Sequence, residues 1–385
     1  MKTKIVVIGG GYAGLLCALR LPREADVVLV EARPWFVERV RLHEDVAGTP
    51  RPRRALAELL RGSGVGLRIG WVRAVDLEAR RLRFEDGEEE AFDELVVATG
   101  SRASAGGVPG LELAHACDTE ESATKLRGNI EVTIGNIDVT IVGGGLTGLE
   151  LAAEIAERRH ARVTLVTADA LGGSGLGKPA RAYARSTLEA LGVAIVEHER
   201  AAAVEPDAVV LASGRALPSA LTIWAGGLEP TPLARDAGLA VDETDRALVD
   251  DRLRSLSHPF VHVAGDAARV AIDGATLRMA CATALPMGAY CADDLARTLR
   301  GADPRPFRFS YLLQCASLGR RAAVVQLVDA HDAPSPTFLG GRPAAWIKEA
   351  LCRYTMASMS LERRGIHYRW PRARAPAAPQ LVART

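Results

Sequence analysis

Two sets of glycines in this sequence have the type and spacing that suit phosphate binding. Each set reads G-x-G-x-x-G, at Gly9, Gly11 and Gly14 and again at Gly143, Gly145 and Gly148. The first glycine of such a set permits a tight turn, the second lets the backbone approach a pyrophosphate, and the third lets a helix pack closely on a strand. The following helix offers free N–H groups and its positive dipole end to the phosphates. The two sets therefore predict two dinucleotide-binding sites.

The elements that must position these glycines are repeated as well. Residues 4–31 and 139–167 each run from β-branched residues through the glycines into a helical stretch and a second β-branched run. That order predicts one βαβ unit in each copy. A lone G-x-G-x-x-G is weak evidence, whereas two copies in this context favour bound dinucleotides over two Gly-rich turns without ligands. The predicted fold class is α/β, with two Rossmann-like dinucleotide-binding domains.

The two copies differ at the end of their second strand. The first ends in Glu31, whose carboxylate accepts hydrogen bonds from an adenosine ribose, and the second ends in Thr167. An acid would repel a 2′-phosphate, whereas a threonine would not. Lys178 and Arg181 follow in a predicted Gly-rich loop, where they either pair with that phosphate or remain solvated. Both NADPH and NADH therefore stay open.

Composition excludes several classes of function. The 385 residues carry 48 Lys and Arg against 47 Asp and Glu, and the net charge of +1 offers no field that would attract nucleic acid. The six cysteines form no C-x-x-C pair, which favours reduced thiols in a cytoplasmic protein. No uncharged apolar run reaches the ~18 residues of a membrane span. The apolar run at 5–19 is similar to a signal peptide, but cleavage there would destroy the first glycine set.

Two dinucleotide sites on one chain predict a flavin and a nicotinamide held face to face, because a hydride can pass directly between them. Four further segments carry a resemblance: LVVATGS at 95–101, VHVAGDA at 261–267, WAGG at 224–227 and PWFVERVRLHEDVAG at 34–48. With the glycine sets, they resemble two-dinucleotide-binding-domain flavoproteins of the pyridine nucleotide-disulfide oxidoreductase type. Within that family the chain resembles type II NADH dehydrogenases and apoptosis-inducing-factor-like FAD-dependent oxidoreductases, over about residues 3–330.

The resemblance implies a domain organisation. Residues 1–110 and 235–305 would form one FAD-binding domain, split by an inserted NAD(P)H-binding domain at 111–234. Residues 306–385 would form a small α+β C-terminal domain on the substrate side. The end of that domain, 374–385, is rich in Pro and Ala and is predicted to be disordered.

The resemblance also implies which residues surround the cofactors FAD and NAD(P)H. The expected FAD-binding residues are Gly9, Gly11, Tyr12, Ala13, Gly14, Glu31, Ala32, Arg41, Val72, Ala98, Thr99, Gly100, Gly265, Asp266 and Ala282. The expected NAD(P)H-binding residues are Gly143, Gly145, Leu146, Thr147, Gly148, Thr167, Gly226 and Gly227. Asp266 would hydrogen-bond the ribityl or pyrophosphate region, and Val72 would touch adenine through its backbone.

Three assignments leave an alternative open. Glu150 would position NAD(P)H near the flavin, as the resemblance implies, or would be a first-turn acid favoured by the helix dipole. Arg41, in the segment that also holds Arg39 and His43, would contact an FAD phosphate or belong to a solvated loop. His258 and His262 lack supporting ligands, so ordinary core or surface histidines are expected and no metal site.

The chain departs from two patterns within the family. Quinone-reducing members resemble A-Q-x-x-x-Q-Q-G after the Gly-Asp strand, whereas residues 280–288 read ACATALPMG, with Ala282 and Pro286 at glutamine positions. Disulfide-reducing members carry a redox-active cysteine pair, and no cysteine stands between Pro34 and Arg54. These departures argue against respiratory quinone reduction and against a thiol relay.

The expected function is that of an FAD-dependent NAD(P)H oxidoreductase. Hydride would pass from NAD(P)H to N5 of FAD, and electrons would then reach a small acceptor, either a quinonoid or aromatic compound or O₂. Three alternatives remain: a membrane-associated type II NADH:quinone reductase, a flavin monooxygenase, and a flavoprotein binding module whose redox chemistry is incidental.

The C-terminal segment 344–362 predicts an amphipathic helix. Ile347, Leu351 and Tyr354 share one of its faces. That helix would pack on the protein's own core or on a second copy, giving a homodimer, or would lie on a membrane. The first alternatives are favoured, because a single short stripe binds a membrane weakly.

Overall fold

The computed structural model describes residues 2–49, 53–104, 106–132, 137–158 and 161–372. Its first sheet is five-stranded and wholly parallel. The strand order across it is Val261–Val263, Glu94–Val97, Lys4–Ile8, Asp26–Glu31 and Gly66–Ile69. Because a strand from late in the chain completes this sheet, residues on both sides of the 111–234 segment share one layer. This arrangement supports the split FAD-binding domain, whose boundaries stay a prediction.

The second sheet repeats the design within the intervening segment. Its five parallel strands run in the order His115–Ala116, Leu221–Trp224, Ile137–Val142, Ala161–Thr167 and Ala194–Glu197. The helices Glu120–Val132, Leu146–Arg158 and Lys178–Ala190 accompany it. Parallel strands that are buried on both faces read as continuous apolar β-branched runs, which explains the VTIV and RVTLV segments. The α/β fold class with two parallel sheets is confirmed.

Smaller antiparallel sheets surround these two layers. Three-stranded sheets are formed by Val72–Asp76, Arg81–Phe84 and Glu89–Ala91, by Ala201–Val204, Ala208–Leu211 and Ala216–Pro218, and by Leu313–Ser317, Ala323–Val328 and Pro334–Gly340. Two-stranded pairs are Trp35–Phe36 with Arg54–Ala55, Ser101–Ala103 with Leu228–Pro230, Ala247–Leu248 with Ala268–Arg269, and Ala271–Ile272 with Ala275–Thr276. Short helical segments are Arg39–Arg41, Leu42–Val46, Leu56–Leu59, Leu111–Leu113, Gly173–Gly175, Leu233–Asp236 and Gly265–Ala267.

Two helices pack closely beside the first glycine set. The first fingerprint helix, Tyr12–Arg20, has every residue from Tyr12 to Leu19 buried. It crosses the long helix Cys281–Leu299 at Gly288, where an added Cβ would lie 2.1 Å from the Ala13 carbonyl oxygen. The absence of a side chain at Gly288 therefore brings the start of the long helix against the first fingerprint.

The C-terminal helix spans Gly341–Arg363, and its packed face differs from the expected one. Its buried residues include Ala344, Lys348, Cys352, Met356 and Met359, which recur at helical spacing. The expected face is instead the more open one, since Ile347 is 39% and Tyr354 is 47% exposed. The apolar pattern predicted the wrong face because the packed face includes a lysine, Lys348, whose charge is paired with the Glu150 carboxylate.

Among the described residues, no helix has the length and apolar character required to cross a membrane. The predicted disorder at 374–385 concerns residues that lie outside the described part of the chain.

Candidate functional site

The three glycines of the first set have different structural roles. Gly9 has φ +101°, and an added Cβ there would lie 2.3 Å from the Ala98 carbonyl oxygen. At Gly14 a Cβ would lie 1.8 Å from the Gly9 carbonyl oxygen, so this glycine permits the helix to approach the strand. At Gly11, by contrast, no described atom lies within 4 Å of an added Cβ. Gly11 therefore borders open space at a helix N-terminus that has no side-chain cap.

The second glycine set repeats this geometry. Gly143 has φ +121°, and its added Cβ would lie 2.2 Å from the Ala225 carbonyl oxygen. An added Cβ at Gly148 would lie 1.8 Å from the Gly143 carbonyl oxygen, while Gly145 again faces a region where no described atom comes within 4 Å. Both loops thus provide open space at the N-terminus of a helix, as dinucleotide phosphates require.

Glu31 ends its strand with the carboxylate held by three backbone N–H groups. Gly10 donates to Oε2 at 2.6 Å, and Ala32 and Arg33 donate to Oε1 at 2.9 and 3.2 Å. These bonds orient the carboxylate at the fingerprint, where a ribose would lie. The strand that begins at Val72 follows Gly70, whose N–H donates to the Glu31 carbonyl oxygen at 2.9 Å. Val72 therefore lies near this end of the sheet, as its predicted role requires.

Thr167 occupies the equivalent position in the second copy and is buried. An added Cβ at Gly144 would lie 2.4 Å from the Thr167 Cβ, so the strand end and the glycine loop are in close contact. The neighbouring strand places Glu197 opposite Thr167. The Glu197 carboxylate, however, accepts the Leu171 N–H at 2.6 Å and pairs with Arg185. Its oxygens are thus engaged inside the protein.

The structure corrects the predicted environment of Lys178 and Arg181. Both residues lie on the helix Lys178–Ala190 and not in a Gly-rich loop. The Arg181 guanidinium donates to the carbonyl oxygens of Leu171, Gly173 and Leu176 at 2.8 to 3.0 Å. Arg181 therefore organises the preceding turn, and Lys178, which is exposed, is the better candidate of the two for a 2′-phosphate.

The remaining residues predicted to bind FAD lie together at the carboxyl edge of the first sheet. Thr99 and Gly100 follow the strand Glu94–Val97, and Asp266 follows its neighbour Val261–Val263. Ser101 donates to Asp266 Oδ2 at 2.6 Å, and Thr231 donates to Thr99 at 2.6 Å. Ligands of open parallel sheets bind at this edge, outside the carboxyl ends of the strands.

Ala282 lies in the first turn of the long helix and is itself exposed. Pro286 has no N–H, so the Ala282 carbonyl lacks its usual i+4 partner and keeps an acceptor available. On the second sheet, Gly226 and Gly227 follow the strand Leu221–Trp224 beside the Gly143 turn. Leu146 and Thr147 begin the second fingerprint helix, Leu146–Arg158.

Arg41 requires a correction. Its guanidinium is 4% exposed and makes ion pairs with Glu38 at 3.2 Å and with Glu44 and Glu349 at 2.8 Å each. Three carboxylates already compensate this charge, so Arg41 is neither the expected phosphate contact nor part of a solvated loop. Arg39 is the cation nearest the predicted FAD edge, with Nη1 3.8 Å from Asp266 Oδ2.

For Glu150 the structure removes one of the two alternatives, while its predicted role beside NAD(P)H stays a prediction. Glu150 is the fifth residue of the second fingerprint helix, whose first turn contains no acid, so the helix dipole does not explain it. Its Oε1 accepts the Ser317 N–H at 3.1 Å and pairs with Lys348, whose Nζ also donates to Ser317 Oγ at 2.7 Å. Lys348 comes from the C-terminal helix, and both side chains are at most 12% exposed.

The surroundings of this pair favour the charged form of Lys348. Burial lowers the Lys348 pKa, but Glu150 together with Cys315 and Cys352 raises it, and the pKa lies above its ordinary value. His43 Nδ1 lies 3.5 Å from Glu150 Oε2 on the other side. A signal in the sequence could have pointed to Lys348, because it is one of only five lysines in an arginine-rich chain and stands within an apolar stretch.

In the described part of the chain, the six cysteines and the two histidines considered as metal ligands form no second reactive centre. All six cysteines are free in the described structure, and burial raises the thiol pKa of Cys17, Cys281 and Cys315 to about 12. His262 is buried with Nε2 3.0 Å from Asp294, as a core histidine should be. His258 lies in the turn before the strand Val261–Val263. Among the described residues, no group of three or more His, Cys, Asp or Glu could hold a metal ion.

Comparison with known proteins adds a family and a fold. The family model described as pyridine nucleotide-disulphide oxidoreductase matches residues 3–288. NADH dehydrogenase-like protein Rv1812c of Mycobacterium tuberculosis is 32% identical over 350 residues, which cover 84% of this chain and 87% of that protein. Demethylphylloquinone reductase NdbB of Synechocystis is 27% identical over 84% of this chain and 86% of its own length. NDH2 of Plasmodium falciparum, solved with NADH, superposes with a TM-score of 0.79 at 15% identity, covering 94% of this chain and 98% of its own, and shows the fold alone.

Proposed function

Because the chain belongs to the pyridine nucleotide-disulphide oxidoreductase family, and is thus an NAD(P)H-dependent oxidoreductase that binds FAD and NAD(P)H, we propose that it delivers electrons to a quinonoid acceptor. The acceptor would bind beside Glu150 and Lys348, where the second fingerprint helix meets the C-terminal helix. FAD would occupy the first fingerprint and NAD(P)H the second.

The FAD assignment draws support from one edge of the first sheet. Gly11 leaves room for the pyrophosphate, and the uncapped helix start at Tyr12 would donate N–H groups to it. The Glu31 carboxylate would accept from the ribose, and Asp266 would accept from a hydroxyl or N–H of the cofactor. Bound FAD accepts two electrons as hydride from the nicotinamide and releases them to a second substrate.

The NAD(P)H assignment draws support from the matching edge of the second sheet. Gly145 leaves room for the pyrophosphate, and Thr167 brings no charge to the ribose position. Lys178, exposed at the start of its helix, lies where it could receive a 2′-phosphate. Because the Glu197 carboxylate is already bonded to Leu171 and Arg185, it does not prevent the 2′-phosphate from binding at this site. This combination favours acceptance of NADPH as well as NADH.

The observation that carries the quinonoid acceptor is the buried Glu150–Lys348 pair. Lys348 Nζ has three N–H donors, and the described contacts with Glu150 and Ser317 use two of them. The third N–H can donate to a carbonyl oxygen of the acceptor. A quinone has such an oxygen, whereas an electron-transfer metal centre does not. Burying a charged pair is costly, so a buried pair without a structural need points to use in chemistry. NdbB, similar in sequence over most of the chain, is a quinone reductase by name. In this proposal Lys348 would supply the hydrogen-bond donor that the glutamines provide in quinone-reducing members.

The test separates the two half-reactions by stopped flow. Lys348→Met keeps the length of the side chain but removes its charge, and Lys125→Met serves as a matched control at an exposed position on the helix Glu120–Val132. We expect Lys348→Met to leave flavin reduction by NAD(P)H unchanged and to slow reoxidation by a naphthoquinone by at least about tenfold. The double variant Glu150→Gln with Lys348→Met guards against misfolding caused by an unpaired buried carboxylate. Normal naphthoquinone turnover in both variants would contradict the proposal.

The predicted homodimer through the C-terminal domain and the cytoplasmic location stay predictions.

A further inference from the structure

Glu150 is the first of three acidic residues along the helix Leu146–Arg158. Glu154 and Glu157 follow at i+4 and i+7, which places all three on one face of Leu146–Arg158. Arg320, from the turn between the strands Leu313–Ser317 and Ala323–Val328, lies across the outer end of this row. Its backbone N–H donates to Glu157 Oε2 at 2.5 Å, and its Nε lies 3.2 Å from Glu154 Oε2. Glu154 is 1% exposed, whereas Arg320 is 27% exposed, so this end of the row reaches solvent.

Arg320 joins this row to the segment that holds His43. Its Nη1 lies 3.3 Å from Glu44 Oε2, so a single guanidinium holds Glu44 and Glu154 side by side. His43 precedes Glu44 and is 4% exposed. The His43 Nδ1 lies 3.5 Å from Glu150 Oε2, and its Nε2 is buried without a hydrogen-bond partner among the described residues. Titratable groups thus follow one another from the surface at Arg320 to Lys348.

Burial and the neighbouring charges shift the pKa values of His43 and Glu154 in opposite directions. Burial lowers the pKa of His43, as do Lys348, Arg320 and Arg41, while Glu44 opposes them. Glu150 is the remaining charged group that faces the ring. Burial raises the pKa of Glu154 to about 7, against the opposing effect of Arg320 and Arg158 and with a further rise from Glu44 and Glu157. A neutral imidazole and a carboxyl that titrates near neutrality are suited to pass protons, whereas arginine stays charged and only positions them.

We propose that Glu154, Glu44 and His43 form a proton route that runs from solvent at Arg320 to the Glu150–Lys348 pair. This inference rests on the proposed quinonoid acceptor. Overall, NAD(P)H, one H⁺ and the quinone yield NAD(P)⁺ and the quinol. The hydride brings two electrons and one proton, while the quinone gains two electrons and two protons. One proton per turnover must therefore come from solvent, and the route supplies it.

The experiment compares acceptors that do and do not require protons. His43→Asn keeps an N–H donor toward Glu150 but cannot exchange a proton, and Glu154→Gln removes the buried carboxyl. His331→Asn and Glu112→Gln are matched controls at exposed positions. Each variant is reduced with NAD(P)H and then mixed with a naphthoquinone or with ferricyanide, which takes electrons alone. Infrared spectra of the oxidised proteins in H₂O and D₂O report the protonated carboxyl near neutral pH without any turnover.

We expect both route variants to slow naphthoquinone reduction by about tenfold or more, while ferricyanide rates stay within about twofold of the controls. Protonated-carboxyl absorption that titrates near pH 7 should be weaker in Glu154→Gln than in the wild type, with the remainder assigned to Glu94, whose pKa burial also raises to about 7. Equal slowing with both acceptors would show a structural role and overturn the route, and so would identical carboxyl absorption in Glu154→Gln and the wild type. If the wild type reduces the quinone and both route variants do so at the same rate, the route would be overturned, whereas the proposed acceptor would stand. Failure of the wild type to reduce any quinone would overturn the proposed acceptor and the route with it.

Discussion

Substitution of Gly11 by valine tests the first dinucleotide site directly. Gly11 has φ −74° and ψ −164°, an extended conformation that valine adopts readily, and no described atom lies within 4 Å of an added Cβ. The cost to folding is therefore small, about 1 kcal/mol for a less favourable helix N-cap residue. The new side chain would occupy the space where the pyrophosphate approaches the backbone.

The expected loss of FAD affinity follows from the hydrogen bonds at that helix start. Each bond to a charged group contributes about 1.5–3 kcal/mol, and displacement of the pyrophosphate would break on the order of two of them. The sum of about 3–6 kcal/mol corresponds to an FAD dissociation constant that is about 10²–10⁴-fold larger.

The assay is flavin content per polypeptide from the absorbance spectrum, followed by FAD titration of the apoprotein. Circular dichroism establishes that the variant is folded. Gly14→Ala provides the contrast, because its Cβ would lie 1.8 Å from the Gly9 carbonyl oxygen and should damage the fold itself. A folded Gly11→Val protein that retains its full complement of FAD would refute the assignment of this site.

Three further predictions concern the other half of the molecule. Gly145→Val should keep FAD but lose reduction by NAD(P)H, because the open space at Gly145 matches that at Gly11; normal stopped-flow reduction would remove NAD(P)H from this loop. Thr167→Glu should shift the ratio of kcat/KM values toward NADH, because a carboxylate there can accept the Gly144 N–H as Glu31 accepts that of Gly10; an unchanged ratio would dismiss Thr167 as a determinant. Glu154 has a folded-state pKa of about 7 against an ordinary 4.5, so the folded state binds its proton more tightly. Below pH ~4.5 this tighter proton binding adds about 3 kcal/mol to the free energy of unfolding. That contribution is lost as pH rises through ~7. Urea unfolding of Glu154→Gln should lack that part of the pH dependence, and parallel curves for variant and wild type would contradict it.

Much of the fold was predictable because its signals are local. A β-branched run, a glycine set and a helical stretch occupy about thirty consecutive residues in each copy, and each glycine acts on backbone atoms close to it in the chain or on an adjacent strand. The position of Glu31 at a strand end follows from the same local pattern. The predicted α/β architecture and family are confirmed for this reason.

The errors concern charged side chains whose partners are distant in the chain. Arg41 meets Glu349, 308 residues away, and Glu150 meets Lys348, 198 residues away. The C-terminal helix buries Lys348 and exposes Ile347 for the same reason, since the carboxylate that compensates the lysine belongs to a distant part of the chain.

The amino-acid sequence by itself determined the two dinucleotide loops, because a backbone that must turn tightly and leave room for phosphate needs glycine at set intervals. Tertiary structure decided which charges are paired, which helix face is covered, and where the groups able to exchange protons converge. Those outcomes depend on how elements distant in the chain pack together, and the attraction between two buried charges has no counterpart in local spacing.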